Sequence, residues 1–438
     1  MTYDDAVAFW YARINFEVRS AEPNDLKLER MRALLRLLGD PHDRLRIVHI
    51  TGTKGKGSTA AMIAAVARAS GYRVGLFTSP HLVHVEERFQ VDGESIGQIE
   101  FSALMAEVAP AVLQLEAGPF PPPTFFEIST ALGFLHFVRR RVEFAVIEVG
   151  LGGRFDSTNV CRPLVSVITS IGLDHMAQLG STEEAIAFQK AGIIKRAIPV
   201  VSGVTQPASR EVVERIAHDL GSPLVQLGRD FDCEYEASRN RVRLTTSGCH
   251  YDLGLLGEHQ AANAAVAVAA LERLRDSGMS LPETSVAKGL RDVRWPARIE
   301  RLSAAPAVVL DMAHNVPSVR ALVTTLRHSV PVSGKKVVVF AVSTDKQYPE
   351  MLAILAEHFD EFHLTKYGTN PRCVPPEKLA EILGKAHPNR PFTIHATAAA
   401  AWNAARSAAG PDDLVCVTGS VFLAGELRTA MTQHAARA

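Results

Sequence analysis

Short apolar runs alternate with longer amphipathic segments along most of the chain. Runs of four to eight apolar residues predict buried strands, whereas longer segments with apolar residues three and four apart predict helices. Buried strands are predicted at 47–51, 143–150 and 163–171, another ends at Ser79, and an amphipathic helix is predicted at 24–39. This alternation is typical of an α/β protein with a mainly parallel sheet.

The hydrophobic pattern changes twice in the second half of the chain. Between 230 and 256 apolar and polar residues alternate, which predicts β-hairpins with one exposed face. Beyond Trp295 and Pro296, five short strands alternate with helices. We therefore predict two domains, 1–296 and 297–438. The first is a P-loop-type nucleotide-binding domain with a mainly parallel sheet and added β-hairpins, and the second is a smaller Rossmann-like α/β domain.

A glycine-rich turn, GTKGKGST, follows the predicted strand at 47–51. Strand, glycine-rich turn and helix form the arrangement in which backbone N–H groups converge on phosphate oxygens. An extra glycine separates the lysine from the hydroxyl residue, so the strict P-loop pattern is not met, and a purely structural turn is the alternative. The agreement of strand, lysine and hydroxyls favours a nucleotide phosphate site made of Gly52, Thr53, Gly55, Lys56, Gly57, Ser58 and Thr59.

Three polar residues, Ser79, Glu148 and His175, lie at the ends of predicted strands near this turn. The carboxyl ends of parallel strands lie on one edge of a sheet, where ligands bind. Mg²⁺ prefers oxygen ligands and accepts one imidazole. A hydrogen-bonded core histidine is the alternative for His175 alone. Beside a phosphate loop and Glu148, the pattern favours a magnesium–ATP site.

Lys190 lies in a helix predicted at 182–196. A solvated helix lysine is the ordinary interpretation. A lysine amine also reacts with carbon dioxide to give a carbamate, whose carboxylate can bind a metal. The residues alone leave both states open.

Arg298 follows the predicted domain boundary, and Asp311 and His314 end the first strand of the second sheet. Arginine at such a place binds phosphate, and aspartate accepts hydrogen bonds from ribose hydroxyls. An ion pair between domains is the alternative for Arg298, and spacing alone favours neither.

The composition of the chain bears on which kinds of molecule the protein binds. The 438 residues carry 47 basic and 47 acidic side chains, so no net field attracts nucleic acid or an anionic membrane. No apolar run reaches the roughly 18 residues of a membrane span. The first residues are acidic, unlike a signal peptide, and the five cysteines form no CxxC pair. We predict a cytoplasmic protein with no nucleic-acid or membrane partner.

Several motifs occur in an order that resembles one enzyme family. They are GTKGKGST, TSPHL, EVGLGGRFDSTNV, ITSIGLDHMAQLG, QKAGIIK, GEHQAANAA, DMAHN and VTGSVFLAGELR. Together they closely resemble folylpolyglutamate synthase and the bifunctional dihydrofolate synthase, members of the Mur ligase superfamily. The resemblance extends from about Leu26 to Arg428.

The resemblance implies a monomeric ATP-dependent amide ligase. In that family ATP activates a carboxylate of pteroate or folate as an acyl phosphate, and the amine of L-glutamate then attacks. Mg²⁺ and ATP are implied, whereas a need for K⁺, the choice between pteroate and folate, and the length of the glutamate chain stay open.

The family's functional positions carry over residue by residue. Ser79, Glu148 and His175 match its magnesium ligands, and Lys190 matches its carbamylated lysine. The matched nucleotide contacts are Asn263, Arg298 and Asp311, in addition to the phosphate loop. The matched substrate contacts are Phe126, Asp156, His314 and Ser420. The residues assigned to catalysis are Lys56, His175, Lys190, Arg298 and His314.

Three positions depart from the family pattern. Gln189 stands where glutamate is expected, Ala297 where glycine precedes the arginine, and Met312 where glycine follows the aspartate. Two alternatives therefore accompany the main hypothesis: a Mur-type ligase acting on another carboxylate, and an ATP-binding protein without turnover. The region before the phosphate loop is short for a UDP-binding domain. The retained Lys56, Glu148 and His175 disfavour a degenerate site.

Overall fold

The computed structural model describes residues 1–15, 28–368 and 370–435, so the predicted helix residues 24–27 lie outside it. The chain divides into two compact units. The first unit comprises Met1–Glu234, Val242–Asp252 and Gln260–Val293, and the second comprises Tyr235–Arg241, Leu253–His259 and Arg294–Ala438.

An eight-stranded sheet lies at the centre of the first unit. Its strands are β1 (Ile47–Thr51), β2 (Val74–Phe77), β3 (Phe89–Val91), β4 (Glu94–Ser95), β5 (Phe144–Glu148), β6 (Val165–Ile168), β7 (Val200–Ser202) and β8 (Leu224–Gln226). They are ordered β4-β3-β2-β5-β1-β6-β7-β8. The six strands β2, β5, β1, β6, β7 and β8 pair with their neighbours in parallel. At the edge of the sheet, β3 pairs antiparallel with β2, and β4 pairs antiparallel with β3. Every residue of β1, β5 and β6 is buried, as expected of central parallel strands covered on both faces.

In the described chain, ten α-helices precede the six-stranded sheet of the second unit. They are α1 (Tyr3–Tyr11), α2 (Leu28–Leu37), α3 (Lys56–Ala69), α4 (Gln98–Glu116), α5 (Phe125–Arg139), α6 (Met176–Leu179), α7 (Glu183–Lys190), α8 (Pro207–Asp219), α9 (Glu258–Asp276) and α10 (Glu283–Asp292). None of the helices within the described ranges is long and apolar enough to cross a membrane.

Register brings the ends of the central strands to one edge. β1 lies between β5 and β6, with Ile50 opposite Glu148 and Thr51 opposite Ile168. The loops that leave these three strands therefore begin side by side. Their meeting point is the carboxyl edge of the parallel sheet, where open α/β sheets bind ligands.

Aromatic packing fixes the beginning of α5. The Trp10 ring stacks on Phe125 with 4.4 Å between centroids, and its indole Nε1 donates to the Phe125 carbonyl at 2.8 Å. Thr124 and Glu127 form a capping box, and Arg30 Nε donates to both Glu127 carboxylate oxygens at 2.8 and 2.9 Å. These contacts join the first turn of α5 to α1 and α2.

The region predicted as β-hairpins forms a separate three-stranded sheet. Its strands are β9 (Cys233–Glu236), β10 (Arg241–Leu244) and β11 (His250–Asp252), in the order β11-β10-β9. Tyr251 is buried while its neighbours His250 and Asp252 are exposed, which is the predicted alternation.

The second unit contains a six-stranded sheet ordered β12-β13-β17-β14-β15-β16. Its strands are β12 (Glu300–Ala304), β13 (Ala307–Leu310), β14 (Lys336–Phe340), β15 (Glu361–Leu364), β16 (Phe392–Ile394) and β17 (Leu414–Thr418). Its helices are α11 (Val316–Ser329), α12 (Tyr348–Ala356), α13 (Pro376–Ala386), α14 (Ala398–Ala408) and α15 (Val421–Ala435). All neighbouring strands are parallel except the β12–β13 pair.

The predicted fold class is confirmed, and two local predictions are wrong. The edge strand β12 is missing from the predicted elements: it lies next to the predicted domain boundary and pairs antiparallel with β13, so the alternation of parallel strands and helices does not indicate it. The helix predicted at 182–196 ends at Lys190, and a 3-10 turn, Ala191–Ile193, follows it. A contact from elsewhere in the fold accompanies this early end, since the Arg154 N–H donates to the Gln189 carbonyl at 2.8 Å.

Candidate active site

The phosphate loop, residues 52–58, connects β1 to α3. Gly55 caps the N-terminus of α3 and has a left-handed φ of 84°, and Gly57, Ser58 and Thr59 are buried in the first turn. The first N–H groups of a helix have no partner within the helix and carry the positive end of its dipole. The local structure therefore suits an anion bound at this turn.

Two glycines allow this loop to approach its neighbours closely. A Cβ atom on Gly52 would lie 1.9 Å from Thr169 Oγ1, and a Cβ atom on Gly55 would lie 2.2 Å from Asn263 Oδ1. Asn263 is held on α9, where its Nδ2 donates to Gln260 Oε1 at 3.0 Å. The carboxamide of a predicted nucleotide contact therefore lies directly beside the phosphate loop.

Two lysines share one backbone carbonyl at the start of the loop. Lys56 Nζ donates to the Gly52 carbonyl at 3.1 Å, and Lys190 Nζ donates to the same oxygen at 2.9 Å. The structure thus brings the phosphate-loop lysine together with the end of α7, although 134 positions separate Lys56 from Lys190 in the sequence.

Lys190 is not a solvated helix lysine, since only 4% of the residue is exposed. Burial lowers the pKa of its amine well below the ordinary value, and the Lys56 ammonium lowers it further. The amine is therefore neutral over a wider pH range than an exposed lysine. A neutral amine is the form that attacks carbon dioxide.

Ser79 and Glu148 meet at the ends of β2 and β5. The Ser79 backbone N–H donates to Glu148 Oε2 at 3.2 Å, and Glu148 is only 4% exposed. The strand-end carboxylate is therefore fixed beside the serine with which it is predicted to bind a metal.

His175 lies in the loop that follows β6, on the other side of β1. It has left-handed backbone angles of φ 51° and ψ 39°, and its N–H donates to Asp174 Oδ1 at 3.0 Å. Its side chain is 56% exposed, so the alternative of a buried core histidine does not hold.

The three predicted magnesium ligands offer a hydroxyl oxygen, a carboxylate oxygen and an imidazole nitrogen. This donor set fits a hard divalent cation that keeps phosphate and water ligands in its remaining positions. Glu148 is a buried carboxylate whose Oε2 accepts the Ser79 N–H, so its position next to Ser79 is fixed. The residues present thus fit Mg²⁺, and their role as its ligands stays a prediction.

Phe126 and Asp156 lie in the part of the first unit around the end of β5. A Cβ atom on Gly150 would lie 2.4 Å from Phe126 Cζ, so the ring covers the chain just beyond Glu148. Asp156 accepts hydrogen bonds from the N–H groups of Leu151 at 2.9 Å and Thr158 at 3.0 Å. Burial raises the pKa of Asp156. Both contacts fix its own loop, so a substrate contact by Asp156 stays a prediction.

Arg298 lies in a strained stretch of the second unit. The residues on either side, Ala297 and Ile299, have left-handed φ values of 52° and 50°. A β-branched residue is rare there, and strained backbone is concentrated at functional sites. Arg298 Nε is buried without a hydrogen-bond partner in the described part of the chain. An unsatisfied buried donor fits a ligand contact better than a completed ion pair.

Asp311 directly follows β13, and backbone N–H groups hold its carboxylate. Its oxygens accept from the N–H groups of Ile299 at 3.0 Å and Ala313 at 2.7 Å. Burial raises the pKa of Asp311, and the backbone donors and Arg298 oppose that rise. His314, three residues further on, donates from Nδ1 to the Met312 carbonyl at 2.9 Å, which fixes its ring.

Ser420 follows β17 and belongs to a polar group that the sequence analysis did not single out. It is 3% exposed, its Oγ accepts the Phe422 N–H at 3.2 Å, and the Phe422 ring lies 5.4 Å from that of Tyr367 between centroids. The Tyr367 hydroxyl also lies 2.6 Å from Ser343 Oγ. Because β14, β15 and β17 are parallel neighbours, the residues after them lie on one edge. The available signal was that Ser343 and Tyr367 come shortly after the apolar residues that form β14 and β15.

Family comparisons place this arrangement in a known class. The Mur ligase middle domain matches residues 50–271, and the Mur ligase glutamate ligase domain matches residues 297–421. Together with the phosphate loop and the two mainly parallel sheets, these matches define a Mur-type ligase.

Relatives with full-length similarity identify the branch of this class. A dihydrofolate synthase/folylpolyglutamate synthase of Bacillus subtilis is 36% identical over 437 residues, covering 97% of this chain and 98% of the relative. The chain therefore belongs to the folylpolyglutamate synthase/dihydrofolate synthase family. The resemblance inferred from the motifs is confirmed.

Solved structures agree with this family. Mycobacterium tuberculosis folylpolyglutamate synthase complexed with ADP and AMPPCP is similar with a TM-score of 0.84 and 36% identity, covering 93% of this chain and 95% of that chain. Escherichia coli FolC in complex with DHPP and ADP has a TM-score of 0.85 and 28% identity, covering 100% and 99%.

Replacing Gly55 by alanine tests the phosphate loop. The added Cβ overlaps the Asn263 side chain and makes the left-handed φ unfavourable. We expect Gly55→Ala to weaken ADP binding at least about tenfold in isothermal titration calorimetry.

The matched control is Gly71→Ala, at a position with a φ of 91° but nothing within 4 Å of the added Cβ. This variant introduces the same backbone strain without a clash and should bind ADP like the unmodified protein. Unchanged ADP affinity in Gly55→Ala would contradict the assignment of the loop.

Proposed function

We propose that this protein joins L-glutamate to a carboxylate of dihydropteroate, to the γ-carboxylate of a tetrahydrofolate or its glutamyl chain, or to both, using ATP. The observation that carries the proposal is the phosphate loop, where Lys56 and Lys190 meet at the Gly52 carbonyl within a chain similar to this family over its full length. Relatives of known structure bind ADP, AMPPCP and DHPP.

The reaction has two steps. An oxygen of the acceptor carboxylate attacks the γ-phosphorus of ATP, and the bond to the β-phosphate oxygen breaks, which gives an acyl phosphate and ADP. The glutamate amine then attacks the acyl carbon, inorganic phosphate leaves, and the nitrogen loses a proton. Such transfers depend on positioning and charge neutralisation more than on covalent help from the protein.

The phosphate loop supplies most of that positioning. The N–H groups around Gly55, Gly57 and Ser58 bind phosphate oxygens, and the Lys56 ammonium neutralises the outer phosphates. We assign Ser79, Glu148 and His175 to Mg²⁺, which would neutralise charge on the phosphates.

The remaining predicted contacts divide between nucleotide and acceptor. Asn263, Arg298 and Asp311 are assigned to ATP, supported by the position of Asn263 beside Gly55 and by the unsatisfied Arg298 Nε. Phe126, Asp156, His314 and Ser420 are assigned to the pterin-bearing substrate, the glutamate and the acyl phosphate. We also propose that the protein acts as a cytoplasmic monomer. Its five cysteines are thiols rather than disulfides, which fits a reducing compartment.

Lys190 is proposed to carry a carbamate. Its neutral amine attacks carbon dioxide, a nitrogen–carbon bond forms, and the nitrogen releases one proton. The product is an anion that the neighbouring Lys56 ammonium stabilises. The carbamate is thus favoured above the lowered pKa of Lys190 and is lost when the pH falls through it.

The proposed activity is tested by incorporation of labelled glutamate, with dihydropteroate and tetrahydrofolate supplied separately. We expect ATP- and magnesium-dependent incorporation into at least one acceptor. The activity of Lys56→Met should be at least about a hundredfold lower than that of the unmodified protein, because the outer phosphates lose a positive partner. Lys385→Met, a change at an exposed lysine of α13, should keep it.

Labelling of both acceptors indicates a bifunctional enzyme, and labelling of tetrahydrofolate alone indicates chain extension. If neither acceptor is labelled while ADP still binds, the acceptor is a different carboxylate and the folate assignment is wrong.

The carbamate is tested by carbon-13 NMR in labelled bicarbonate. We expect a carbamate resonance in the unmodified protein that weakens on acidification and is absent in Lys190→Arg. Lys195→Arg is the matched control, because burial also lowers the pKa of Lys195 while its amine donates to the Asn159 carbonyl at 2.9 Å. That variant should keep the resonance. Identical spectra for Lys190→Arg and the unmodified protein would exclude the modification.

A further inference from the structure

Thr53 and Lys54 of the phosphate loop are hydrogen-bonded to the segment that follows β6, residues 169–175. The Thr53 N–H donates to the Ser170 carbonyl at 2.7 Å, and the Lys54 N–H donates to Ser170 Oγ at 3.0 Å. The Lys54 carbonyl accepts from Thr169 Oγ1 at 2.6 Å. The backbone of Lys54 is thus fixed on both sides before its side chain is considered.

The Lys54 side chain extends this connection to the residue before His175. Lys54 Nζ lies 2.7 Å from Asp174 Oδ2, while the other oxygen of that carboxylate, Oδ1, accepts the His175 N–H at 3.0 Å. One carboxylate therefore joins a phosphate-loop ammonium to the backbone of a predicted magnesium ligand.

This ion pair differs from an ordinary surface pair. Exposed pairs contribute little, largely because two flexible side chains must be ordered. Here the side chains of Lys54 and Asp174 are 39% and 20% exposed, and hydrogen bonds already order the Lys54 backbone. Less entropy is lost when such a pair forms, so more of its Coulomb energy is retained.

The backbone of His175 needs such support. Its φ of 51° and ψ of 39° are left-handed, a conformation that is uncommon for residues other than glycine and persists where surrounding contacts impose it. The hydrogen bond to Asp174 is one such contact. Because Asp174 is in turn held by Lys54, the position of the imidazole depends on the phosphate loop.

The charges at this place are close enough to interact. Lys54 and Lys56 both disfavour the charged form of Lys190, which lowers its pKa, and Asp174 favours that form. Asp174 thus offsets part of the positive charge that Lys54 and Lys56 bring to the loop. Asp174 is therefore placed to act both as a counter-charge and as a link to His175.

We propose that Lys54 is a positioning residue for the magnesium ligand His175 and acts through the carboxylate of Asp174. The proposal rests on the proposed function, since it takes His175 as a ligand of Mg²⁺. It assigns Lys54 a task distinct from that of Lys56, which binds the phosphates directly. The two loops would then bind nucleotide and metal as one unit.

A double-mutant cycle tests the proposal by calorimetry of ADP binding in Mg²⁺ and in EDTA. The variants are Lys54→Met, Asp174→Asn and the double substitution. The carboxamide oxygen in Asp174→Asn can still accept the His175 N–H, so this change removes the ion pair selectively. In each single variant the magnesium-dependent gain in ADP affinity should be about threefold to tenfold smaller than in the unmodified protein. In the double variant this gain should be no smaller than in either single variant.

Two further variants serve as controls. Lys54→Arg retains a cation and should preserve most of the magnesium-dependent gain. Lys385→Met removes an exposed lysine that lies 2.6 Å from Glu381 on α13, and should change nothing. Thermal unfolding of each variant without ligands checks folding. If Asp174→Asn fails to fold, the comparison of Lys54→Met with Lys54→Arg still shows whether a cation at position 54 is needed for the magnesium-dependent gain.

Two results would overturn the proposal. In one, Asp174→Asn binds ADP like the unmodified protein while Lys54→Met weakens it equally in Mg²⁺ and in EDTA, which makes Lys54 a phosphate contact. In the other, the loss of magnesium-dependent affinity in the double variant equals the product of the losses in the two single variants. These results are separable from failure of the proposed function, because ADP and Mg²⁺ binding is measured without any acceptor or glutamate.

Discussion

The meeting of the Lys56 and Lys190 side chains at the Gly52 carbonyl is the constraint on which the site depends. Both Nζ atoms donate to that oxygen, so the Lys56 ammonium and a buried amine of lowered pKa lie together at the point where β1 ends. We propose that the Lys56 ammonium neutralises the triphosphate of ATP bound at this turn. The absence of a side chain at Gly52 lets the chain after β6 pack against the same turn.

Local patterns were sufficient to predict the parts of the site that lie on single elements. The phosphate loop follows a buried strand and begins a helix. Glu148 ends β5 and Ser79 lies just after β2, and the order of these two strands places the residues together. Parallel pairing brings strand ends to one edge whatever the exact register. These features therefore follow from strand prediction and motif spacing alone.

Other features depend on tertiary register and could not be predicted. The burial of Lys190 follows from α7 packing beneath Gly52, and the ion pair between Lys54 and Asp174 joins loops that the sequence shows only as separate motifs. Asp156 has a predicted substrate role, yet both of its carboxylate oxygens accept hydrogen bonds from its own loop. A motif match identifies such a residue but not the partner that its side chain contacts.

The departures from the family pattern gain a physical meaning in the structure. Ala297 has a left-handed φ of 52°, which explains why glycine suits this position in the family, and its methyl group costs about 1–2 kcal/mol there. The backbones of Ala297 and Met312 are joined by a 3.1 Å hydrogen bond, and Gln189 accepts the Arg154 N–H through its carbonyl. These hydrogen bonds are made by backbone atoms, so side-chain changes at the three positions leave them in place.

The central claim is that ATP activates the acceptor carboxylate directly. It is tested by labelling that carboxylate with oxygen-18 and following the released phosphate by phosphorus-31 NMR. Transfer through an acyl phosphate predicts one labelled oxygen in the phosphate for each amide formed, because the carbon–oxygen bond breaks when the amine attacks. Phosphate that contains no label while amide accumulates would contradict the account, since ATP hydrolysis would then not pass through the acceptor.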